Sequence, residues 1–273
     1  MTDHYCVFGN PVHHSKSPLI HAAFARQTGE DIRYTARLAP LDGFALAVHA
    51  FIAGGGRGAN ITVPFKEEAF RLVPHRTPRA EMAGAVNTLV VTGVGIVGHN
   101  TDGIGLLRDL TLNLGCPVAG KRVLLLGAGG AARGVIGPLL ETQPETLVIA
   151  NRTVNKAKIL ARNFAHHGGI SGCGYAELAG QSFDIVINAT SASLVDSLPP
   201  LPTALFAPHS LAYEMMYGLG DTPFICFARS QGAEQCADGI GMLVEQAAEA
   251  FYIWRGVRPQ SGPVIAMLRN TSV

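Results

Sequence analysis

Charge is scarce in this sequence. Charged residues make up 15% of 273 positions, no run of lysine or arginine occurs, and the formal net charge is +1. That balance excludes a broad basic face for wrapping nucleic acid, so any anionic partner has to be held locally. No uninterrupted apolar run reaches the roughly 18 residues that a membrane-crossing helix needs. The opening MTDHYCVFGNPVHHSKSP lacks a basic segment followed by an apolar one, which sets the expectation of a cytoplasmic protein with no membrane attachment. Cysteine is sparse and odd in number: Cys6, Cys116, Cys173, Cys226 and Cys236 form no CxxC pair, against a disulfide framework or structural zinc. Histidine does not supply a metal site instead, since His13/His14 and His166/His167 are adjacent rather than spaced as ligands. Internal repeats and low-complexity tracts are also missing.

What is present is apolar. Hydrophobic residues make up 48% of the chain, enough for a sizeable core, and the length suits two domains of about 100 to 150 residues each. The first hundred residues alternate strand-like and helix-like text, which predicts βαβ units and a mostly parallel sheet. YCVFG reads as a strand. Ser17-Pro18 reads as a helix cap followed by proline, with Leu19, Ile20 and Phe24 behind it and Gly29 as the stop. IRYTARL (32–38) alternates like a strand, 41–53 is helical, and the glycine-rich 54–58 reads as a break before the strand NITV. KEEAFRLV is a short helix, and TLVVT and GIVGHN are two strands around a tight glycine turn. A domain boundary falls near Asp102, dividing a first unit over 1–102 from a second over 103–238. GIGMLVEQAAEAFYIWRG is an amphipathic helix followed by a shorter one in PVIAMLRN. Spacing alone does not say on which domain they pack.

The second domain opens with KRVLLLGAGGAARGVIGPLL. Gly127-Ala128-Gly129-Gly130-Ala131-Ala132 fits G-x-G-x-x-A between a strand and a helix. In such a turn the first glycine permits the bend, the second admits a pyrophosphate to the backbone, and the alanine lets helix and strand pack closely. The next strand, TLVIA, ends in Asn151-Arg152-Thr153, with Lys156 one turn later and no carboxylate. An acid there would accept the ribose 2′-hydroxyl of NAD, whereas a guanidinium, an amide, a hydroxyl and an ammonium suit a 2′-phosphate. The expected cofactor is NADP(H).

A nicotinamide enzyme that reduces a carbonyl has to deliver a proton to the developing alkoxide. Lys66, in ANITVPFKEEAF, is the candidate donor: it follows a strand end, and the first turn of a helix is an electrostatically poor place for a cation. Asp102, in GHNTDG, ends another strand of the same unit and is the candidate partner. Solvation of Lys66 and helix capping by Asp102 are the competing readings.

Taken together, GNPxxHSKSP (9–18), NITVPFK (60–66), AGAVNT (83–88), NTDG (100–103), GAGGAAR (127–133), NRT (151–153), NATS (188–191) and ADGIGMLVEQA (237–247) resemble the shikimate dehydrogenase family over nearly the whole chain. The resemblance implies two α/β domains, a Rossmann-type NADP domain and a substrate domain completed by the C-terminal helices (239–273), with substrate in the cleft between them. It implies NADPH-dependent reduction of 3-dehydroshikimate to shikimate, on the route to aromatic amino acids. Lys66 and Asp102 would handle proton transfer, and Ser15 and Ser17 would hold the substrate carboxylate. Asn60, Thr62, Asn87, Asp102 and Gln246 would hold the ring hydroxyls, with Tyr217 also at the substrate. Thr190, Ser191, Gly239 and Met242 would join the cofactor contacts. For Ser17 capping and substrate contact both stand, and Asn60, Thr62 and Asn87 also suit strand-end turns. Monomer and homodimer both stay open.

The family pattern is broken in three places. Ala192-Ser193 follows NATS where glycine is usual, Tyr213-Glu214-Met215-Met216-Tyr217 carries Glu for the common Asp, and Lys156 stands where arginine is frequent. Two alternatives remain: an NAD-linked quinate/shikimate dehydrogenase, disfavoured by the missing acid at 151–152, and a ligand sensor without chemistry, disfavoured by the presence of both Lys66 and Asp102.

Overall fold

Chain text that alternates between period-two and helical patterns becomes alternating strands and helices. The computed structural model describes residues 2–190, 192, 197–218 and 220–270. In chain order the elements are β1 (Asp3–Gly9), α1 (Ser17–Thr28), β2 (Ile32–Leu38), α2 (Phe44–Ala53), β3 (Gly56–Ile61), α3 (Lys66–Leu72), β4 (His75–Arg76), α4 (Pro78–Ala83), β5 (Thr88–Thr92), β6 (Gly95–His99) and α5 (Asp102–Arg108). Then follow a π-helical turn (Asp109–Asn113), β7 (Arg122–Leu126), α6 (Gly130–Glu141), β8 (Thr146–Ala150), α7 (Val154–Phe164), β9 (Ile170–Cys173), β10 (Phe183–Asn188), β11 (Phe206–Glu214), α8 (Pro223–Ser230), β12 (Gln235–Ala237), α9 (Ile240–Arg255) and α10 (Gly262–Asn270). One compact unit holds the chain to Gly105 with Leu243–Met267, and the other holds Leu106–Met242 with the chain from Leu268. No helix among the described residues is long and apolar enough to cross a membrane.

The first unit is built on a six-stranded sheet of order β2-β1-β3-β5-β6-β4. β1 pairs in parallel with β2 and β3, and the hairpin β5–β6 adds antiparallel pairing. α1 buries Ile20 and Phe24, one turn apart, and Gly29 ends it in the left-handed region at φ 73° while donating to the Ala25 carbonyl. Phe8, Phe44, Phe51 and Phe65 fill the layer under the sheet, Phe44 stacking on Phe65 at 4.6 Å. Burying each such ring contributes about 1.5–3 kcal/mol. From the C-terminal segment, the Trp254 indole N–H donates to the Leu89 carbonyl at 2.9 Å, its ring stacks on Tyr5, and Arg255 pairs with Asp3 and Glu30.

Two local expectations change. The glycine-rich 54–58 is not a break up to Gly58, because β3 starts at Gly56. A Cβ there would sit 2.4 Å from the Phe51 ring, and one at Gly58 would sit 2.5 Å from Trp254 Nε1, so these glycines make room for neighbouring rings. Ser17 is not the cap of α1 but its first residue, and the Ser15 hydroxyl accepts the Ser17 N–H at 3.3 Å.

The second unit is a parallel six-stranded sheet of order β12-β11-β10-β7-β8-β9. Its strand order reverses between β7 and β10, the switch point of a doubly wound sheet. Helices cover both faces of such a sheet, which accounts for the continuous apolar text of RVLLL and TLVIA rather than an alternating one. Val123, Leu124, Leu125 and Leu126 are all fully buried.

Candidate functional site

In the first unit, polar side chains gather where β3, β5 and β6 meet the loops at one edge of the sheet. Lys66 opens α3, and its ammonium donates to Asp102 Oδ2 at 2.7 Å. The Asp102 side chain is 7% exposed and that of Lys66 25%. Asp102 opens α5, yet it does not cap the helix: the Asn100 carboxamide oxygen accepts the Asp102 N–H at 3.1 Å, which leaves the carboxylate free to turn toward Lys66. Its other oxygen, Oδ1, accepts from Asn87 Nδ2 at 2.7 Å. Asn87 is itself held, its Oδ1 accepting the Thr101 N–H at 2.9 Å.

Gln246, on α9, brings its Oε1 within 3.4 Å of Asn87 Nδ2 and 3.3 Å of the Thr101 hydroxyl. Asn60, at the end of β3 and buried, accepts the Tyr34 hydroxyl at 2.7 Å. Thr62 follows at the mouth of the strand, half-buried, and Gly9 is required beside it because a Cβ there would lie 2.5 Å from Thr62 Cγ2. Ser15 is half-buried and Ser17 buried at the head of α1. His21, one turn further along α1, is fully buried between Tyr34, on which it stacks at 4.1 Å, and Phe24; burial lowers its pKa to about 3, keeping the ring neutral. Tyr34, Thr88, Asn100 and Thr101 receive no role from the sequence, although the last three fall within AGAVNT and NTDG; each looks like an ordinary strand or turn residue until its partners are known.

In the second unit, the switch point between β7 and β10 opens into a cavity of ≈ 790 Å³. Its walls include Gly127, Ala128, Gly129, Gly130 and Ala131 on one side and Asn151, Arg152, Thr153 and Lys156 on another. Gly127 has φ 107°, and a Cβ on it would lie 3.1 Å from the Ala189 carbonyl oxygen. A Cβ on Gly129 or Gly130 would meet nothing within 4 Å, so their backbone is bare to the cavity. Gly129 precedes α6 without any side-chain cap, leaving the first-turn N–H groups for an anion. Among the described residues lining this cavity are two cations and no carboxylate. These features fit a dinucleotide with a phosphorylated ribose: the bare glycine backbone leaves room for a pyrophosphate, and Arg152, Thr153 and Lys156 offer donors of the kind a phosphate needs.

Thr190 and Ala192 also line the cavity, whereas Ser191 and Ser193 lie outside the described residues. Gly239 and Met242 are not among the lining residues. Gly239 sits against the backbone, where a Cβ would be 2.2 Å from the Met215 carbonyl oxygen, and Met242 is buried. Tyr217 belongs to this second unit and is 37% exposed. Ala189, within NATS, lines the cavity as well, and Tyr175, Ser197, Leu198, Pro199 and Pro200 complete the lining and carry no motif that would have revealed them. The extra methylene of Glu214 is accommodated. Fully buried, it accepts from Asn188 Nδ2 at 2.8 Å, the Thr222 hydroxyl at 3.1 Å and the Met216 N–H at 3.1 Å, while Asn188 Oδ1 accepts the Thr190 hydroxyl at 2.8 Å.

Three family models match the chain: "Shikimate dehydrogenase substrate binding domain" over residues 7–89, "Shikimate / quinate 5-dehydrogenase" over 111–195 and "Shikimate 5'-dehydrogenase C-terminal domain" over 239–268. A shikimate dehydrogenase (NADP(+)) of Dechloromonas aromatica is 63% identical over 269 residues, 98% of each chain. Among solved structures, an Ael1 enzyme from Pseudomonas putida superposes with a TM-score of 0.93 at 52% identity, covering 98% of each chain. Shikimate 5-dehydrogenase from Thermus thermophilus, solved with NADP(H) and shikimate, superposes with a TM-score of 0.88 at 31% identity over 100% of each chain.

Proposed function

This chain belongs to the shikimate dehydrogenase family, and from that premise we propose that it catalyses the reversible NADPH-dependent reduction of 3-dehydroshikimate to shikimate. The observation that carries the reading is the Lys66–Asp102 pair, an ammonium held at 2.7 Å by a carboxylate that Asn87 steadies from its other side. NADPH, when bound, supplies the hydride to the carbonyl carbon. The protein's part is the proton. Lys66 donates it to the oxygen on which negative charge develops, and Asp102 fixes the ammonium in place and balances its charge beforehand.

Around the ring, Ser15 and Ser17 bind the substrate carboxylate, and Asn60, Thr62, Asn87 and Gln246 bind its hydroxyls, with Tyr217 as a further contact. A polyol acid calls for such neutral amides and hydroxyls, and a site that bonds each hydroxyl rejects analogues lacking one. Gly127 to Ala131 cradle the pyrophosphate, Asn151, Arg152, Thr153 and Lys156 hold the 2′-phosphate, and Thr190 and Ser191 belong to the cofactor side, where Gly239 and Met242, which do not line the cavity, are placed by the family resemblance alone. The substrate domain is taken as residues 1–102 with 239–273, and the NADP domain as 103–238. The purified protein should oxidise NADPH in the presence of 3-dehydroshikimate and give far less NADP+ reduction with quinate than with shikimate. No turnover of 3-dehydroshikimate would overturn the reading.

A further inference from the structure

Thr88 has no part in the chemistry above, yet it is fully buried between two of the amides assigned to substrate. Its hydroxyl accepts from Asn60 Nδ2 at 3.0 Å and lies 2.9 Å from Asn87 Oδ1, to which it donates. The hydrogen bonds therefore form one chain: Tyr34 to Asn60, Asn60 to Thr88, Thr88 to Asn87, Asn87 to Asp102, with Lys66 closing the far end.

The direction of this chain follows from chemistry. A carboxylate paired with an ammonium only accepts, so Asn87 must face Asp102 with its N–H, and its oxygen must face the other way. That oxygen already receives the Thr101 N–H, which fixes Asn87 independently. Thr88 is then obliged to give its proton to Asn87 and to accept from Asn60. Both N–H groups of Asn60 are thereby committed, to Thr88 Oγ1 at 3.0 Å and the Asn87 carbonyl at 3.3 Å. Tyr34 completes the order from behind, and burial holds its phenol well above the ordinary value, so the hydroxyl remains protonated.

We propose that Thr88 is a positioning residue that transmits the polarity of the Lys66–Asp102 pair to Asn60, so that Asn60 can offer a ligand only its carbonyl oxygen and selects a hydroxyl there over a ketone or an ether. The inference rests on the reading of this site as the substrate site. Its consequence for that reading is orientation: the substrate's ketone is refused at Asn60 and accepted at the Lys66 end.

The test compares Thr88→Val with Thr88→Ser, measuring steady-state reduction of 3-dehydroshikimate and hydrogen exchange of the Asn60 and Asn87 side-chain amides by nitrogen-resolved NMR. Thr88→Val should raise KM about tenfold with a smaller change in kcat, the scale of one buried hydrogen bond lost, and should speed exchange at Asn60 but not at Asn87. Thr88→Ser should restore both. Wild-type exchange at Asn60 in Thr88→Val overturns the proposal, as does a Thr88→Ser variant as impaired as Thr88→Val, which would assign the effect to packing. If the wild type does not reduce 3-dehydroshikimate, the functional reading fails and amide exchange alone decides the role of Thr88. If Thr88→Val does not fold, Tyr34→Phe serves in its place: it should speed exchange at Asn60 alone, and an unchanged Asn60 overturns the proposal.

Discussion

Lys66 Nζ and Asp102 Oδ2 meet at 2.7 Å although 36 residues separate them in the chain. Each opens a short helix soon after the polypeptide leaves the sheet, Lys66 after β3 and Asp102 after β6. Separate strand ends thus supply opposite charges to one point. Replacing Lys66 with alanine removes the proposed proton donor but leaves Ser15, Ser17, Asn60 and Gln246 in place. Turnover should fall by about 10²- to 10⁴-fold, the usual worth of a positioned acid or base, with a much smaller change in KM. Steady-state kinetics at saturating NADPH checks this, and near-normal kcat would remove Lys66 from the chemistry.

Arg152 and Lys156 are the two cations among the described residues of the second-unit cavity, and both are exposed, without an acid beside them in its lining. Such cations discriminate between cofactors that differ by one phosphate. Arg152→Ala should lower kcat/KM for NADPH by about tenfold or more, the cost of losing a charge-assisted hydrogen bond, and leave the value for NADH nearly unchanged. Lys156→Ala should do less, because an ammonium binds phosphate as a point charge and not through a fork. An equal loss with both cofactors would show that these residues do not read the 2′-phosphate.

Much of this is legible in one dimension, for identifiable reasons. The glycine turn at 127–130 announces itself because it sits between a readable strand and a readable helix and because Gly127, at φ 107°, takes a conformation that favours glycine, and β2 and the end of α1 at Gly29 are readable from side-chain alternation and a helix stop. Lys66 and Asp102 stand out because charge at a strand end is unusual in so apolar a chain. The start of β3 is hidden because text shows two glycines, and only the fold shows Phe51 and Trp254 occupying the space of their missing side chains. Thr88 stays hidden for a related reason. A threonine in a strand is what β-propensity expects, and its task appears only when Asn60 and Asn87, 27 residues apart, lie on either side of it. Ser17 and Asp102 both look like helix caps in the text because composition marks the cap region well and the cap residue poorly. In the structure, Ser15 and Asn100 accept those N–H groups from two residues earlier.

His21 ties the stability of the first unit to pH. It is fully buried, its ring nitrogens make no hydrogen bond of good geometry, and burial, outweighing the opposing influence of the nearby Asn60 side chain, depresses its pKa from 6.5 to about 3. Between those values the unfolded chain binds a proton that the folded protein refuses, so stability rises with pH across that window and is lost as the solution is acidified below about 6.5. From pH 7 to pH 5 the loss traceable to this one ring is about 2 kcal/mol, at roughly 1.4 kcal/mol per pH unit below the unfolded value. Carboxylates add their own acid sensitivity, but they do so equally in a variant that keeps them. His21→Phe retains a flat ring to stack on Tyr34 and cannot be protonated. Urea unfolding of the wild type and of His21→Phe at both pH values should therefore show the wild type losing about 2 kcal/mol more, and parallel losses would mean that the buried imidazole accepts its proton without unfolding.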